Sequence, residues 1–286
     1  MGNVIIALVP ALIASTVIFG LRSLLVVAVT TAACVLMEHL WCRIRKIPTT
    51  VGDLSAVVTG LLLAFNLPPT VPLYLPIIGA AAAILVTKEL FGGIGCNFAN
   101  PAIVGRITLA VSFPSRMTSY LFPKLLIPCD ALTSATPLAV PDQQLPLLDL
   151  LLGTHGGVIG ETCAAALLLG LVWLLVTRTI EITIPLCYVG TVAILSLIFG
   201  RNPATEVLSG GLLLGAIFMA TDYTTSPFYR KGKIVFGVGL GLIPCLIRFW
   251  GNMAEGVSYS ILLMNLLVPY INARFRRVPM GGGVRK

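Results

Sequence analysis

From Asn3 to Leu21 the chain reads NVIIALVPALIASTVIFGL, without one charged side chain. A bilayer core about 30 Å thick is crossed by roughly 20 predominantly apolar residues in a helix, which closes its own backbone hydrogen bonds because no water is at hand. A run of this kind dictates a membrane helix, and the chain repeats it. Ten such segments can be read, at about 3–20, 22–41, 52–66, 72–90, 100–113, 161–177, 182–199, 206–221, 233–249 and 256–273. The fifth and eighth are short and are interrupted or bounded by Gly, Pro and polar residues, the pattern of broken helices that line a site. Only 10% of the 286 residues are charged, against about a quarter in soluble domains. The expected fold class is an all-α membrane protein of about ten transmembrane helices.

Orientation follows from the basic residues. If ten helices bring both termini to one side, that side collects Arg43, Arg45, Lys46, Lys88, Arg178, Arg230, Lys231, Lys233, Arg274, Arg276, Arg277, Arg285 and Lys286. The other side receives Arg22, Arg116, Lys124, Arg201 and Arg248, and Arg106 falls inside the fifth span. Lys and Arg accumulate on the cytoplasmic side of membrane proteins, so the termini are expected there and the stretch from about 114 to 160 outside. The net charge of +8 follows from the same asymmetry. Basic residues scattered over short loops do not make a nucleic-acid surface. The N-terminus has no basic n-region and leads straight into a second apolar span, so a cleaved signal peptide is not expected. Ile6 stands where a myristoylation signal would need Ser or Thr.

The chain echoes itself. Val57 to Thr70, VVTGLLLAFNLPPT, resembles Leu208 to Pro227, LSGGLLLGAIFMATDYTTSP, and Leu90 to Ala102, LFGGIGCNFANPA, is followed at a distance by Arg248 to Ser260, RFWGNMAEGVSYS. Five spans per half would invert one half relative to the other in the membrane, with sites at their interface. The organisation expected is a first five-helix repeat over 1–113, an outward loop region over 114–160, a second repeat over 161–275 and a basic cytoplasmic tail over 276–286.

Seven scattered cysteines without a C-x-x-C pair, and two histidines, His39 and His155, without H-x-x-H spacing, exclude the common zinc, haem and iron–sulfur frameworks from this chain alone. The polar residues inside apolar sequence are better candidates. Asp53, in TVGDLSAVV, starts a helix and reads as a cap. Glu161 follows the Gly-rich turn of HGGVIGETCAAALLLG, which suits either a helix start or a close ligand. Asp222, with Thr221, Thr224, Thr225 and Ser226 around it in IFMATDYTTSPF, makes an oxygen-rich break suited to a cation or to the polar edge of a flavin. Asn97 and Asn100, in GGIGCNFANPA, either orient a polar ligand or build the turn before Pro101. Glu38, Glu89 and Glu181 lie at helix ends beside basic residues, where ion pairing is the ordinary role.

The remaining polar stretch is Asp130 to Leu138, DALTSATPL, in the outward region. A Ser/Thr-rich turn is the plain alternative for it. Together with DLSAVVTGLLLAFNLPPT, LFGGIGCNFANPA, HGGVIGETCAAALLLG and LSGGLLLGAIFMATDYTTSPF, in this order from about residue 3 to 275, it makes the chain resemble the D subunit of the Rnf ion-translocating ferredoxin:NAD oxidoreductase and its homologue, the B subunit of the sodium-pumping NADH:quinone oxidoreductase.

That resemblance implies covalent flavin mononucleotide (FMN). The family motif, D-x-x-[ST]-[GS]-A-T, is met by Asp130, Thr133, Ser134, Ala135 and Thr136, and its last threonine, here Thr136, receives FMN through a phosphoester made by a flavin transferase with FAD as donor. It further implies a noncovalent riboflavin, for which Asp222, Glu161, Asn97 and Asn100 are the candidates, with Asp53 and Thr225 beside them as alternatives for an ion path. Partners would be the other membrane and iron–sulfur or flavin subunits of such a complex, in a prokaryotic plasma membrane. Electron flow would drive Na⁺ or H⁺ across it. Relatives usually carry a polar segment before the first helix, and this chain starts almost at the helix. The sequence holds no G-x-G-x-x-G after a strand, so NAD is not expected to bind here. A channel or secondary transporter built from inverted repeats, without a redox role, is the competing expectation.

Overall fold

A computed structural model describes residues 1–120, 146–153, 155–161, 163–251 and 256–276. The regular structure among those residues is helical, with no β-strand. Helix α1 (Gly2–Phe19) ends at Gly20 and turns directly into α2 (Leu21–Arg45), which closes on the left-handed Lys46 with Arg43 and Arg45 in its last turn, where cations suit the helix dipole. Helix α3 (Ser55–Phe65) is capped by Asp53, whose Oδ1 accepts from Ser55 N at 2.7 Å. Helix α4 (Tyr74–Ala81) widens without a break into a π-helical stretch, Ala82–Glu89. The turn that follows holds Gly92, Gly93 and Gly95 at φ between 89 and 114°, values that side chains resist. Helix α5 (Pro101–Ser112) then starts on Asn100, whose side chain accepts from Ala102 N at 3.0 Å, with Pro101 in the first position. A short α6 (Pro114–Met117) follows.

After α7 (Leu147–Leu152) come α8 (Ala164–Val176) and α9 (Thr183–Ile198). Helix α10 (Pro203–Leu208) repeats the Asn–Pro start of α5, with Asn202 accepting from Ala204 N at 3.0 Å. The chain breaks at Ser209 to Gly211, resumes in α11 (Leu212–Leu214) and widens into a second π-helical stretch, Gly215–Met219. Helices α12 (Arg230–Trp250) and α13 (Val257–Phe275) complete the bundle.

Each apolar segment read from the sequence lies on one of these helices or broken helices. Helices α1, α2 and α12 are long and apolar enough to cross a membrane. Others are shorter: the 11 residues of α3 extend about 16 Å at 1.5 Å per residue, half a bilayer core. The eighth segment is interrupted, as its Gly pair suggested. The fifth runs unbroken through α5 and is only bounded by its cap, and the distortion falls in the fourth, where π-helical geometry accommodates the crowded junction with α5.

The packing has a repeating pattern. In the first half α2 packs on α3 and α4, and α5 on α3 and α4; in the second, α9 packs on α10, the Gly215–Met219 stretch and α12, and α13 on that stretch and α12. Across the halves, α1 meets α8 and α5 meets α13. The core between them holds Leu62, Leu63, Phe65, Ile103, Leu214 and Ile217. Residues 155–161 enter this core without forming a helix: Ile159 N donates to Leu67 O at 3.1 Å and Gly160 N to Phe65 O at 2.8 Å. These bonds satisfy carbonyls at the end of α3 that a helix leaves unpaired, and they allow irregular backbone inside an apolar bundle.

Candidate functional site

Two polar places are built into this core, one at the bundle end where α1 and α3 begin and one between the halves. The first is a pocket with an apolar wall and a few convergent polar groups, the composition usual for small-molecule sites. Val58, Leu62, Ile94, Leu174, Ile217 and Phe218 supply apolar wall, and Ser55, Thr59, Lys88, Asn97, Asn100, Thr221, Asp222 and Thr224 supply polar groups. The two irregular segments make it possible. The left-handed glycine turn delivers Asn97 and Asn100, and the end of the second π-helical stretch delivers Thr221 and Asp222.

Asp222 is held by its own turn: Oδ2 accepts from Thr224 Oγ1 at 2.9 Å and from Thr225 Oγ1 at 3.3 Å, and Oδ1 from Thr224 N at 3.4 Å. Desolvation pushes the Asp222 carboxyl above the usual range, while those hydrogen bonds pull it down. Lys88, almost fully buried, reaches the cavity wall while bonded to Ser55 Oγ at 2.6 Å and Glu38 Oε2 at 2.9 Å. Asn97 Oδ1 is buried with no hydrogen-bond partner, so the cavity holds an acceptor that a ligand N–H or O–H would satisfy.

The second place is an ion pair. Arg106 Nη1 on α5 lies 3.5 Å from Glu161 Oε1 and donates a short hydrogen bond to Asn66 Oδ1 at the end of α3. All three side chains are buried. Gly211, at the break before α11, leaves the space that the Glu161 carboxylate occupies: a Cβ there would meet Oε1 at 2.5 Å.

A polar seam joins the two places across the halves. Asn66 Nδ2 approaches Met219 Sδ at 3.6 Å, and Asn100 Nδ2 donates to Met219 O at 3.3 Å. Asn265 of α13 accepts from Asn100 N and donates to Thr225 O, both at 3.1 Å.

Of the residues singled out from the sequence, Asn97, Asn100 and Asp222 meet at the cavity, with Thr225 behind Asp222. Glu161 stands apart on Arg106, and Asp53 caps α3 behind Ser55 rather than lining the cavity. Asp130, Thr133, Ser134, Ala135 and Thr136 lie outside the described residues. Sequence reading missed Glu206, which binds Arg248 Nη1 at 3.0 Å and Arg201 Nη1 at 3.3 Å. Its signal was available: an acid in the first turn after Asn202–Pro203, with Arg248 as the lone charge late in α12. It missed Lys88 as cavity wall too, because a Lys beside a Glu at a helix end looks like an ordinary interfacial pair.

The model of the NQR2, RnfD, RnfE family matches residues 1–281. Among curated proteins, the chain is 46% identical over 278 residues to the D subunit of the Na⁺-translocating ferredoxin:NAD⁺ oxidoreductase complex of Acetobacterium woodii, covering 95% of this chain and 86% of that one. It is 40% identical over 302 residues to the D subunit of the proton-translocating ferredoxin:NAD⁺ oxidoreductase complex of Clostridium ljungdahlii, covering 98% and 91%. To the D subunit of the ion-translocating oxidoreductase complex of Stutzerimonas stutzeri it is 34% identical over 326 residues, covering 100% and 92%.

Proposed function

We propose, from the premise that the chain belongs to the NQR2, RnfD, RnfE family, that it is the membrane D subunit of an ion-translocating ferredoxin:NAD oxidoreductase complex and carries FMN as a phosphoester on Thr136. The carrying observation is the motif Asp130, Thr133, Ser134, Ala135 and Thr136 in a chain whose relatives bear the D-subunit name over nearly their whole length. A hydroxyl after a small Ala leaves room for a modifying enzyme, and Asp130 at its offset can position a metal or take a proton during phosphoryl transfer. The bound flavin would supply electron acceptance and release, and the protein its position and surroundings. Partners are the other subunits of the complex and a flavin transferase, and the subunit is not expected to act alone. The coupled ion is Na⁺ or H⁺, and relatives of both descriptions align along nearly the whole chain.

The architecture proposed is two five-helix repeats of opposite orientation, termini in the cytoplasm and the 114–160 region outside. The matched helix pairings of the two halves support it, as do the paired Asn–Pro helix starts at Asn100 and Asn202. In that orientation the cavity opens inward. Its composition fits a noncovalent flavin, an apolar slot with a few convergent polar groups: Asn97 and Asn100 would satisfy the polar edge of the ring, Thr59 and Thr221 its hydroxylated tail. Glu161 and Asp222, at opposite ends of the seam, are the residues proposed for an ion path.

Co-expression with a flavin transferase tests the redox assignment. Ultraviolet fluorescence of the denatured gel band is expected, and its absence, with no flavin-sized increment on the Thr136 peptide, would favour a transporter without a redox role. For the inner cavity, Asn97→Ala with Thr221→Val is expected to lower the flavin released on denaturation from the complex by about tenfold or more, the effect of losing two hydrogen bonds at roughly 1 kcal/mol each. Unchanged release would place that flavin elsewhere.

A further inference from the structure

Four ionisable side chains crowd the place where α2, the start of α3 and the end of the first π-helical stretch meet: Glu38, Asp53, Lys88 and Glu89. Glu38 is fully buried, Lys88 is 2% exposed and Glu89 9%. The Lys88 ammonium is committed at short range to Glu38 Oε2 at 2.9 Å and Ser55 Oγ at 2.6 Å. Thr50 donates a short hydrogen bond to the other Glu38 oxygen, and Asp53 Oδ1 accepts from Ser55 Oγ at 2.5 Å. Glu89 Oε1 is left 3.8 Å from Lys88 Nζ, beyond a hydrogen bond, and is buried without any donor.

The charges do not balance. Two buried carboxylates face one ammonium, and the half-buried Asp53 adds a third negative charge beside them. An ionised carboxylate in an apolar place with no donor is unfavourable enough that it takes a proton instead. A metal ion fits less well: Lys88 already stands between the carboxylates, and a second cation a few ångströms away would repel it.

We infer that Glu89 is a proton-binding site, occupied at neutral pH. The step is a simple one: the Glu89 carboxylate takes one proton from hydronium in the surrounding water, an O–H bond forming at Glu89 as one breaks in the hydronium, and becomes a carboxylic acid. Loss of that proton leaves a negative charge beside Lys88, which weakens the Lys88–Glu38 pairing by competition. The groups that bear on Glu89 are Lys88 on its own helix, Glu38 on α2 and Asp53 before α3, with the Cys34 thiol of α2 close to Glu38 and Lys88. Helix α5, which packs against the same stretch, contributes Arg106, engaged with Asn66 and Glu161. None of this depends on a flavin being bound.

Infrared difference spectroscopy of the full-length protein tests it. Wild type at neutral pH is expected to show a protonated-carboxyl carbonyl band that shifts in heavy water, fades as pH is raised and is missing in Glu89→Gln. Glu181→Gln, whose Glu181 is exposed in a pair with Lys233, is expected to keep it. Absence of the band from wild type would overturn the inference, since that arm needs no variant to fold. Its survival in Glu89→Gln, or its loss in Glu38→Gln alone, would move the proton to another residue.

Discussion

Arg106 and Glu161 bring opposite charges into an apolar core, where each helps to make the other tolerable. Removing one partner of a buried pair costs about 3–5 kcal/mol, whereas an exposed pair is worth roughly 1 kcal/mol or less. Glu161→Gln is therefore expected to lower the melting temperature of the purified protein markedly, at the lower end of that range because Asn66 still accepts from Arg106. Glu181→Gln, which breaks the exposed pair with Lys233, is expected to leave it nearly unchanged. Equal effects would show that the Arg106 pairing is not a structural anchor. Gly211 belongs to the same balance. Gly211→Ala drives a Cβ onto Glu161 Oε1 and is expected to cost about 1–3 kcal/mol. Gly190→Ala, which meets nothing within 4 Å in the middle of α9, is expected to gain roughly 0.5–1 kcal/mol, and the two melting curves should move in opposite directions.

Among the elements, the irregular ones carry the polar chemistry. The segment 155–161 closes the end of α3 with two backbone bonds and places His155 in a buried position, its Nε2 without a partner. Burial lowers the His155 pKa below its ordinary 6.5, opposed by the bond to Gly156 O and by Asp149. A lowered folded-state value means the unfolded chain binds the proton more readily, so stability is full above about 6.5 and declines as pH falls from there toward the folded-state value. His155→Gln should flatten that acid limb of the stability profile, measured by thermal melts across pH, and an unchanged limb would assign it to other groups. This segment was the least legible part of the sequence. HGGVIGE shows its glycines, yet no pattern tells that it leaves the loop and bonds to Phe65 and Leu67, contacts more than ninety residues apart in the chain. The helices were legible because an apolar run of membrane length has few alternatives, and Asn100–Pro101 announced its own helix start. The π-helical widenings at Ala82–Glu89 and Gly215–Met219 were not, since they answer to packing between neighbours rather than to local composition. Glu161 and Asp222 were each recognisable as unusual, but their separation across the core required the fold.

On the scale of the whole molecule, the two halves meet along a seam of Asn66, Asn100, Arg106, Met219, Thr225 and Asn265, with the cavity at one end and Glu161 at the other. In the proposed orientation, such an arrangement would let one chain present different chemistry to the two faces of a membrane, a redox group outside and a small-molecule and proton site inside. Topology is then decisive. Reporter fusions are expected to place both termini in the cytoplasm and an insertion between Pro141 and Leu145 outside, and the opposite result would turn the cavity outward and the 114–160 region inward. Thr136 carries the most weight in the functional proposal, and the most direct measurement is the mass of the proteolytic peptide spanning Asp130 to Leu138, from protein matured with a flavin transferase. An increment equal to FMN less water, localised by fragmentation to Thr136 and abolished in Thr136→Val while the chain still inserts, is the predicted result. An unmodified peptide, or an increment retained in Thr136→Val on Thr133 or Ser134, would contradict it.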